Sequence, residues 1–220
     1  MHYAQGRFAN DRRRRRDARL VARLMTRAGL DAVPAQLVLD APCGTGRLSG
    51  ALRRFGARVV ALDVSWAMLT ADRAAFGASE GHARPQTALA AVTREVARVQ
   101  ASGFALPFRD RAFDAVVACR LLHHFASTED RRALLGEFAR VSSRWVIASY
   151  WDAASWHAWR RRAPGPLRRK GHDPRVAISP RDLAADLAHA GLVPIARAHS
   201  LRFVSPQAFL LAEVSPPPAR

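Results

Sequence analysis

A short apolar segment that runs into a glycine-rich turn is the feature that most restricts how this chain can fold. Residues 37–39 (Leu-Val-Leu) are apolar and partly β-branched, which is typical of strands buried in a parallel sheet. The turn at residues 40–46 contains two glycines, and apolar residues then recur at helical spacing over residues 48–55. A second β-branched segment follows at residues 58–62. The order strand, turn, helix, strand predicts a βαβ unit.

The same alternation continues along the chain. Apolar and β-branched segments predict strands near residues 96–100, 114–119, 145–149, 193–198 and 208–214, and helices at 66–75, 129–141 and 179–191. Ser179 and Pro180 suit the N-cap and first turn of the last helix. The last two strands are joined by too few residues for a crossover helix, so we expect them to pair antiparallel. The sequence predicts an α/β fold: a doubly wound, mostly parallel seven-stranded sheet with an antiparallel last strand.

Size and composition predict a single domain over residues 1–220, because 49% hydrophobic residues in 220 supply one sizeable core. An amphipathic helix after the candidate N-cap Asn10, with one apolar and one arginine-rich face, makes residues 1–33 a capping region. Residues 76–93 are rich in Gly and Ala and are expected to form a surface insertion. Residues 151–178 carry tryptophans among arginine clusters, and we interpret them as a substrate lid.

The charge balance is strongly basic. The chain has 35 Lys and Arg against 18 Asp and Glu, which gives a formal net charge of +17. Such a balance favours anionic partners, nucleic acid among them. Lys170 is the only lysine, however, and a coding bias toward arginine would produce the same excess. The charge therefore leaves both explanations open.

Cysteine usage and hydropathy bear on cofactor and location. Cys43 and Cys119 have neither the spacing of a metal site nor the density of a disulfide scaffold, so we expect no metal and a reducing compartment. No apolar run of the sequence approaches the roughly 20 residues that span a bilayer. We expect a cytoplasmic protein without a transmembrane segment.

The glycine turn and the acidic residues beside it indicate a nucleoside cofactor. Gly44 and Gly46 allow a ligand to approach the backbone closely at the carboxyl edge of the sheet. Asp63, at the end of the second strand, can accept hydrogen bonds from both hydroxyls of a ribose. Asp40 repels a pyrophosphate and attracts a cationic group, and Ser49 stands where a dinucleotide fingerprint has its third glycine. These residues favour S-adenosylmethionine over NAD. The structural alternatives are ordinary βα packing of the turn and an N-cap role for Asp63.

Four segments of the chain resemble the class I S-adenosylmethionine-dependent methyltransferases, especially their small-molecule and quinone-type branch. These segments are VLDAPCGTGRL, ALDVSWAML, SGFALPFRDRAFDAVVACRLLHHF and EFARVSSRWVI, and the likeness extends from about residue 3 to residue 214. The resemblance implies a Rossmann-like methyltransferase fold and S-adenosyl-L-methionine as the cofactor.

The resemblance also implies a set of cofactor-binding residues. Asp40 would lie near the methionine moiety, Asp63 would hold the ribose and Met68 would pack near the adenine. The other implied residues are Pro42, Gly44, Gly46, Val64, Ser102, Gly103, Phe104, Cys119 and Arg120. Ser102 stands where the family usually has an acidic residue for the adenine amino group, and Pro42 replaces the first glycine of the usual turn. Because a hydroxyl accepts more weakly than a carboxylate, we expect lower cofactor affinity or a bridging water.

His123 and His124 follow the fourth strand at the edge where substrates enter such sheets, and they are the candidate catalytic residues. His124 is the better candidate for a base that removes a proton from the acceptor. The structural alternative is a pair that packs at the loop without titrating. We expect methyl transfer to an unidentified small-molecule or lipid-like acceptor, whose anionic groups the basic lid would suit. The alternatives are an RNA or protein methyltransferase and a non-catalytic cofactor-binding or scaffolding protein.

Overall fold

The computed structural model describes residues 11–32, 35–71, 96–162, 175–199 and 205–216. The strands are β1 (Leu37–Asp40), β2 (Arg58–Asp63), β3 (Ala97–Gln100), β4 (Phe113–Ala118), β5 (Ser142–Trp151), β6 (Leu192–His199) and β7 (Gln207–Val214). They form one seven-stranded sheet in the order β3-β2-β1-β4-β5-β7-β6. Strands β1 to β5 pair in parallel, and β7 runs antiparallel to both of its neighbours. The predicted fold class is confirmed, including the antiparallel last strand.

Helices lie between the strands in the predicted alternation. They are α1 (Asp11–Arg27), α2 (Ser49–Arg54), α3 (Trp66–Ala71), α4 (Thr128–Val141), α5 (Trp156–Arg162) and α6 (Pro180–His189), with a short 3-10 helix at Leu122–His124. Ser179 caps α6 by accepting a hydrogen bond from the Asp182 amide, as the Ser-Pro pair predicts. The helix ends at His189 rather than at Gly191, which adopts a φ of +68° in the turn that follows.

Both faces of the sheet are covered by apolar side chains, as a doubly wound sheet requires. On one face the core includes Leu20, Leu24 and Leu52, from α1 and α2. On the other face it includes Leu134, Phe138 and Leu183, from α4 and α6. The amphipathic pattern of α1 thus buries its apolar side against the sheet, which confirms that prediction.

Strand β5 is longer than the predicted residues 145–149. It continues because its last residues still pair with β7, up to Trp151 opposite Gln207. The predicted lid therefore begins inside the sheet. Helix α5 follows, and Ile178 returns to form a parallel bridge with Asp152. These contacts hold both ends of residues 151–178 at the carboxyl end of β5.

Some predicted features fall outside the described residues: the N-cap Asn10, the insertion at residues 76–93 and the second arginine cluster at residues 168–170. Within the described ranges, no helix is both long enough and apolar enough to cross a bilayer. The described part of the chain also contains no group of His, Cys, Asp and Glu that could hold a metal ion.

Candidate active site

The glycine turn between β1 and α2 folds onto the end of β2. Gly44 and Gly46 have φ values of +55° and +78°, a left-handed conformation that side chains rarely adopt. The Gly44 amide donates to Asp63 Oδ2 at 2.9 Å, and the Cys43 amide donates to the Leu62 carbonyl at 2.9 Å. The turn is therefore fixed to the carboxyl end of the neighbouring strand. It forms a backbone surface that carries no side chain at either glycine.

Asp63 connects this turn to the loop that follows β2. Its Oδ2 accepts from the Gly44 amide, and its Oδ1 accepts from the Ser65 amide at 2.9 Å. A carboxylate oxygen has two lone pairs, so both oxygens keep an acceptor site for a hydroxyl donor. The N-cap role considered above belongs to Ser65, whose hydroxyl accepts from the Met68 amide at 3.4 Å. Asp63 thus combines a structural role with the acceptor capacity that a ribose needs.

Asp40 is the buried acid of the site, with 1% of its surface exposed at the end of β1. Ser49, at the start of α2, donates its hydroxyl to Asp40 Oδ2 at 2.7 Å. Burial raises the pKa of Asp40 to about 7, with Asp63 adding to the rise and the Ser49 hydrogen bond opposing it. A cationic ligand group beside Asp40 would favour its charged form. Ser49, which stands where a dinucleotide fingerprint has glycine, therefore forms a hydrogen bond with the buried Asp40.

An apolar surface continues from Asp63 toward β3. Val64 is 68% exposed and Phe104 is 42% exposed. Their loops are adjacent, because the Gln100 side chain donates to the Val64 carbonyl at 3.1 Å and the Ala101 amide donates to the Asp63 carbonyl at 3.2 Å. Exposed apolar side chains next to Asp63, the candidate hydrogen-bond acceptor for a ribose, would suit contact with the flat base of a nucleoside. Half-buried Met68 lies on the first turn of α3, directly after this loop.

Ser102 and Gly103 shape the same loop. The Ser102 hydroxyl accepts from the Phe104 amide at 3.2 Å, so part of its acceptor capacity is already used by the backbone. An ideal Cβ on Gly103 would lie 3.0 Å from Leu134 Cδ2, which explains the glycine by close packing against α4. Phe104 packs edge-on against Phe125, with ring centroids 5.4 Å apart. This loop is therefore held by core contacts on one side.

The loop after β4 forms the other side of the site. Arg120 has a φ of +60°, and its amide donates to the Ser149 hydroxyl at 2.6 Å. Cys119, directly before it, is buried, and burial raises the pKa of this thiol to about 12. The thiol therefore stays protonated at neutral pH and lines the site as a small side chain. Pro42, in the facing turn, is half-buried.

The two candidate catalytic histidines occupy different environments. His123 is buried and stacks on Trp151 of β5, with ring centroids 5.1 Å apart and ring planes at 23°. The Arg175 guanidinium lies 4.3 Å from the centre of the same tryptophan ring, and the Val176 amide donates to the His123 carbonyl at 2.7 Å. His124 is exposed on the 3-10 helix. Only His124 therefore has the access that an acceptor requires.

Sequence reasoning missed the residue that joins α1 to this site. Asp17 is buried, and its carboxylate lies within hydrogen-bond distance of both Arg47 and Arg120. A signal for it exists in the sequence, because Asp17 precedes Leu20 and Val21 by three and four residues and so falls on the apolar face of the helix. A single acid on the buried side of an arginine-rich helix indicates an internal partner.

The comparisons with known proteins agree with this geometry. A family model described as a methyltransferase domain matches residues 39–144. Demethylmenaquinone methyltransferase from Thermobifida fusca is 33% identical over 130 residues, which are 58% of this chain and 49% of that protein. The same enzyme from Corynebacterium glutamicum is 34% identical over 122 residues, which are 56% of this chain and 44% of that one. The chain thus spans about half the length of the curated relatives it matches.

Solved structures share the fold over nearly the whole chain. Magnesium protoporphyrin IX methyltransferase from Synechocystis, crystallised with bound SAH, superposes with a TM-score of 0.71 at 20% identity, covering 93% of this chain and 85% of that one. At this identity the likeness shows the fold alone. The chain is therefore similar in sequence to methyltransferases over part of its length, and it shares their fold over nearly all of it.

Proposed function

We propose that this protein transfers a methyl group from S-adenosylmethionine to a small, lipid-like acceptor at the carboxyl edge of β1, β2 and β4. The observation that carries the proposal is the buried Asp40 beside a glycine turn fixed to Asp63. This arrangement supplies one acid for a cationic group and a second acid with spare acceptor sites for a ribose. A dinucleotide would bring its pyrophosphate against Asp40, which is unfavourable.

The residues of the site fit the parts of this cofactor in order. Asp63 would accept from the ribose hydroxyls, and the exposed Val64 and Phe104 would contact the adenine, with Met68 beside them. Ser102 and Gly103 would border the base. The glycine turn with Pro42 would pass along the sulfur, and Asp40 would attract the ammonium group. Cys119 and Arg120 would line the methionine end.

The chemistry that the cofactor supplies when bound is an electrophilic methyl group on a sulfonium. Displacement at that carbon needs an aligned nucleophile, so the main task of the chain is to orient the acceptor. An acceptor hydroxyl or ammonium must also lose a proton. His124, exposed beside the site, is the group we assign to that transfer, whereas His123 holds the 3-10 helix through its stacking on Trp151.

A lipid-like acceptor is supported by the relatives and by the surface at this edge. The named relatives act on demethylmenaquinone. On α5, directly after β5, Trp156 and Trp159 are about half exposed and stack on each other with ring centroids 4.6 Å apart. Such rings offer contact area to an apolar or aromatic acceptor. Exposed Arg160 beside them would suit an acceptor that also carries an anionic group.

Two other functions compete with this one. Methylation of RNA or protein is favoured by the net charge of +17 and by the arginines of α1. A non-catalytic cofactor-binding role is favoured by Ser102, because this hydroxyl replaces the usual carboxylate and already accepts from the Phe104 amide. Under each of these functions we expect the protein to lie in the cytoplasm, which fractionation of cells would test.

Incubation with methyl-labelled S-adenosylmethionine distinguishes the three functions. The purified protein is mixed separately with lipid, RNA and protein fractions, and label is counted in each product, with Asp63→Ala as the control for cofactor-dependent transfer. The proposal predicts label in the organic phase only. Label in RNA or protein would contradict the small-molecule acceptor. Calorimetric binding of the cofactor with no label in any fraction would support the non-catalytic role.

A further inference from the structure

A buried carboxylate in α1 holds two loops of the cofactor site. Asp17 is 1% exposed, and its Oδ2 accepts from Arg47 Nη2 at 3.2 Å and from Arg120 Nε and Nη2 at 3.1 Å each. The three nitrogen atoms are within charge-assisted hydrogen-bond distance. One oxygen of one acid thus binds guanidinium groups that lie far apart in sequence.

Each of these arginines is continuous with a segment of the site. Arg47 directly follows Gly46 of the glycine turn, and its carbonyl accepts from Arg14 Nε of α1 at 3.3 Å. Arg120 directly follows Cys119, and its Nη2 also donates to Gln207 Oε1 of β7 at 3.3 Å. Loss of the Asp17 carboxylate would therefore remove the side-chain contacts of both arginines with α1, and only the Arg14 contact to the Arg47 carbonyl would remain.

The charges around Asp17 are opposite in sign to those around Asp40. Two guanidinium groups bind this carboxylate and a third, from Arg16, lies 3.9 Å from its Oδ1, which leaves a net positive charge in a largely buried place. Burial, and next the neighbouring Arg120, lower the pKa of Arg47. The amino-acid end of S-adenosylmethionine carries both an ammonium and a carboxylate. The negative charge of Asp40 is complementary to the ammonium, and the positive charges of Arg47 and Arg120 are complementary to the carboxylate.

We propose that Asp17 is a positioning residue of the cofactor site, which holds Arg47 and Arg120 so that the two loops receive the amino-acid end of the cofactor. Asp17 lies outside the matched domain at residues 39–144, so α1 becomes a functional part of the site. The inference rests on the proposed function. It predicts that Asp17 affects binding of the amino-acid end and leaves binding of the adenosine end unchanged.

Two ligands separate these ends. S-adenosylhomocysteine contains adenosine and the amino acid, whereas 5′-methylthioadenosine lacks the amino acid. Calorimetric titration of Asp17→Asn with both ligands is expected to show S-adenosylhomocysteine binding weakened about tenfold or more, as for loss of a hydrogen bond to a charged group, with 5′-methylthioadenosine affinity within about twofold of wild type.

Asp186→Asn is the matched control. Asp186 is also a fully buried helical carboxylate that binds two arginines, accepting from Arg131 Nε at 2.7 Å and Arg132 Nε at 3.1 Å, but it joins α6 to α4. Both substitutions should lower the melting temperature. Only Asp17→Asn should lower the affinity ratio, which is the affinity for S-adenosylhomocysteine divided by that for 5′-methylthioadenosine. A general loss of stability changes the binding of both ligands together and leaves this ratio unchanged.

The outcomes are distinct. If Asp17→Asn and Asp186→Asn change the affinity ratio equally, or neither changes it, the inference is refuted while the proposed function stands. If the wild-type protein binds neither ligand, the proposed function fails and the inference fails with it. Should Asp17→Asn not fold, Asp17→Glu keeps the charge but moves it by one methylene. It is expected to lower the same ratio several-fold, and an unchanged ratio there refutes the inference.

Discussion

Cofactor affinity should depend on pH through Asp40. Burial raises the pKa of this carboxyl to about 7 in the ligand-free protein, so it is half protonated near neutral pH. A bound ammonium beside it favours the ionised form and lowers its pKa. Below pH 7, binding must therefore release a proton from Asp40. Affinity should rise as the pH rises through 7 and become constant above it.

The size of the effect follows from the ionised fraction. With a pKa of about 7, Asp40 is about 0.9 ionised at pH 8 and about 0.1 ionised at pH 6, so affinity for S-adenosylhomocysteine should fall about tenfold between these conditions. At pH 7 about half a proton should be released for each ligand bound. Titration calorimetry in two buffers of different ionisation enthalpy measures both quantities.

Asp40→Asn is the control, because it removes the titrating group and changes the stability and the ligand affinity in opposite directions. An aspartic acid side chain in water has a pKa of 3.8, so the folded protein binds this proton more tightly than the unfolded chain does. The protonated acid therefore stabilises the folded protein, and this stabilisation is fully present below pH 3.8. It is lost as the pH rises through about 7, which lowers the free energy of unfolding by about 4 kcal/mol. The asparagine variant should unfold at higher temperature than wild type at pH 8, yet bind the ligand weakly at every pH. Equal affinity at pH 6 and 8 in the wild type, with no proton release, would refute this reasoning.

Three other substitutions test separate parts of the site. Asp63→Ala should weaken S-adenosylmethionine binding by about 3 kcal/mol, since two hydrogen bonds to a charged acceptor are lost, and an unchanged dissociation constant in the folded variant would contradict the ribose assignment. His124→Ala should lower the methyl-transfer rate about a hundredfold with little change in cofactor affinity, and normal turnover would make the residue structural. Gly103→Ala should lower the free energy of unfolding by about 1 kcal/mol in a denaturant titration, because its Cβ would press on Leu134 in a packed core. A variant as stable as wild type would show that Leu134 can move aside.

Hydropathy patterns predicted the sheet because, in the described strands and helices, the local pattern of apolar residues agrees with the secondary structure that each segment adopts. Residues 37–62 already contain two buried strands, a helix and the turn between them, and the structure forms all of these. The two ends of β5 were missed because they depend on distant partners, which hydropathy does not report: Ser142 pairs with Phe113 of β4, and Trp151 pairs with Gln207 of β7.

The positions of the two acidic residues of the candidate site were predictable, whereas their roles stay predictions. Asp40 and Asp63 stand at strand ends, so their location follows from the strands themselves. The pKa of Asp40 could not be predicted because it depends on how deeply the carboxyl is buried, and the two contacts of Asp63 could not be predicted because they depend on where the folded backbone places the Gly44 and Ser65 amides. Asp17 was missed for a related reason: its partners Arg47 and Arg120 follow it by 30 and 103 residues.

The place of β7 in the sheet bears on how the chain is made. β7 is the last of the seven strands in chain order, yet it lies between β5 and β6 and is fully buried from Ala208 to Ala212. While the ribosome is still synthesising these residues, β6 has no strand to join and β5 presents an unpaired edge, which is a template for aggregation. Gln207, which bonds to Arg120, arrives with the same strand. A truncated or stalled chain that lacks β7 would therefore expose sheet edges. It would also lack the Gln207 contact to Arg120, so we expect a nascent chain to become able to bind the cofactor only after β7 has joined the sheet.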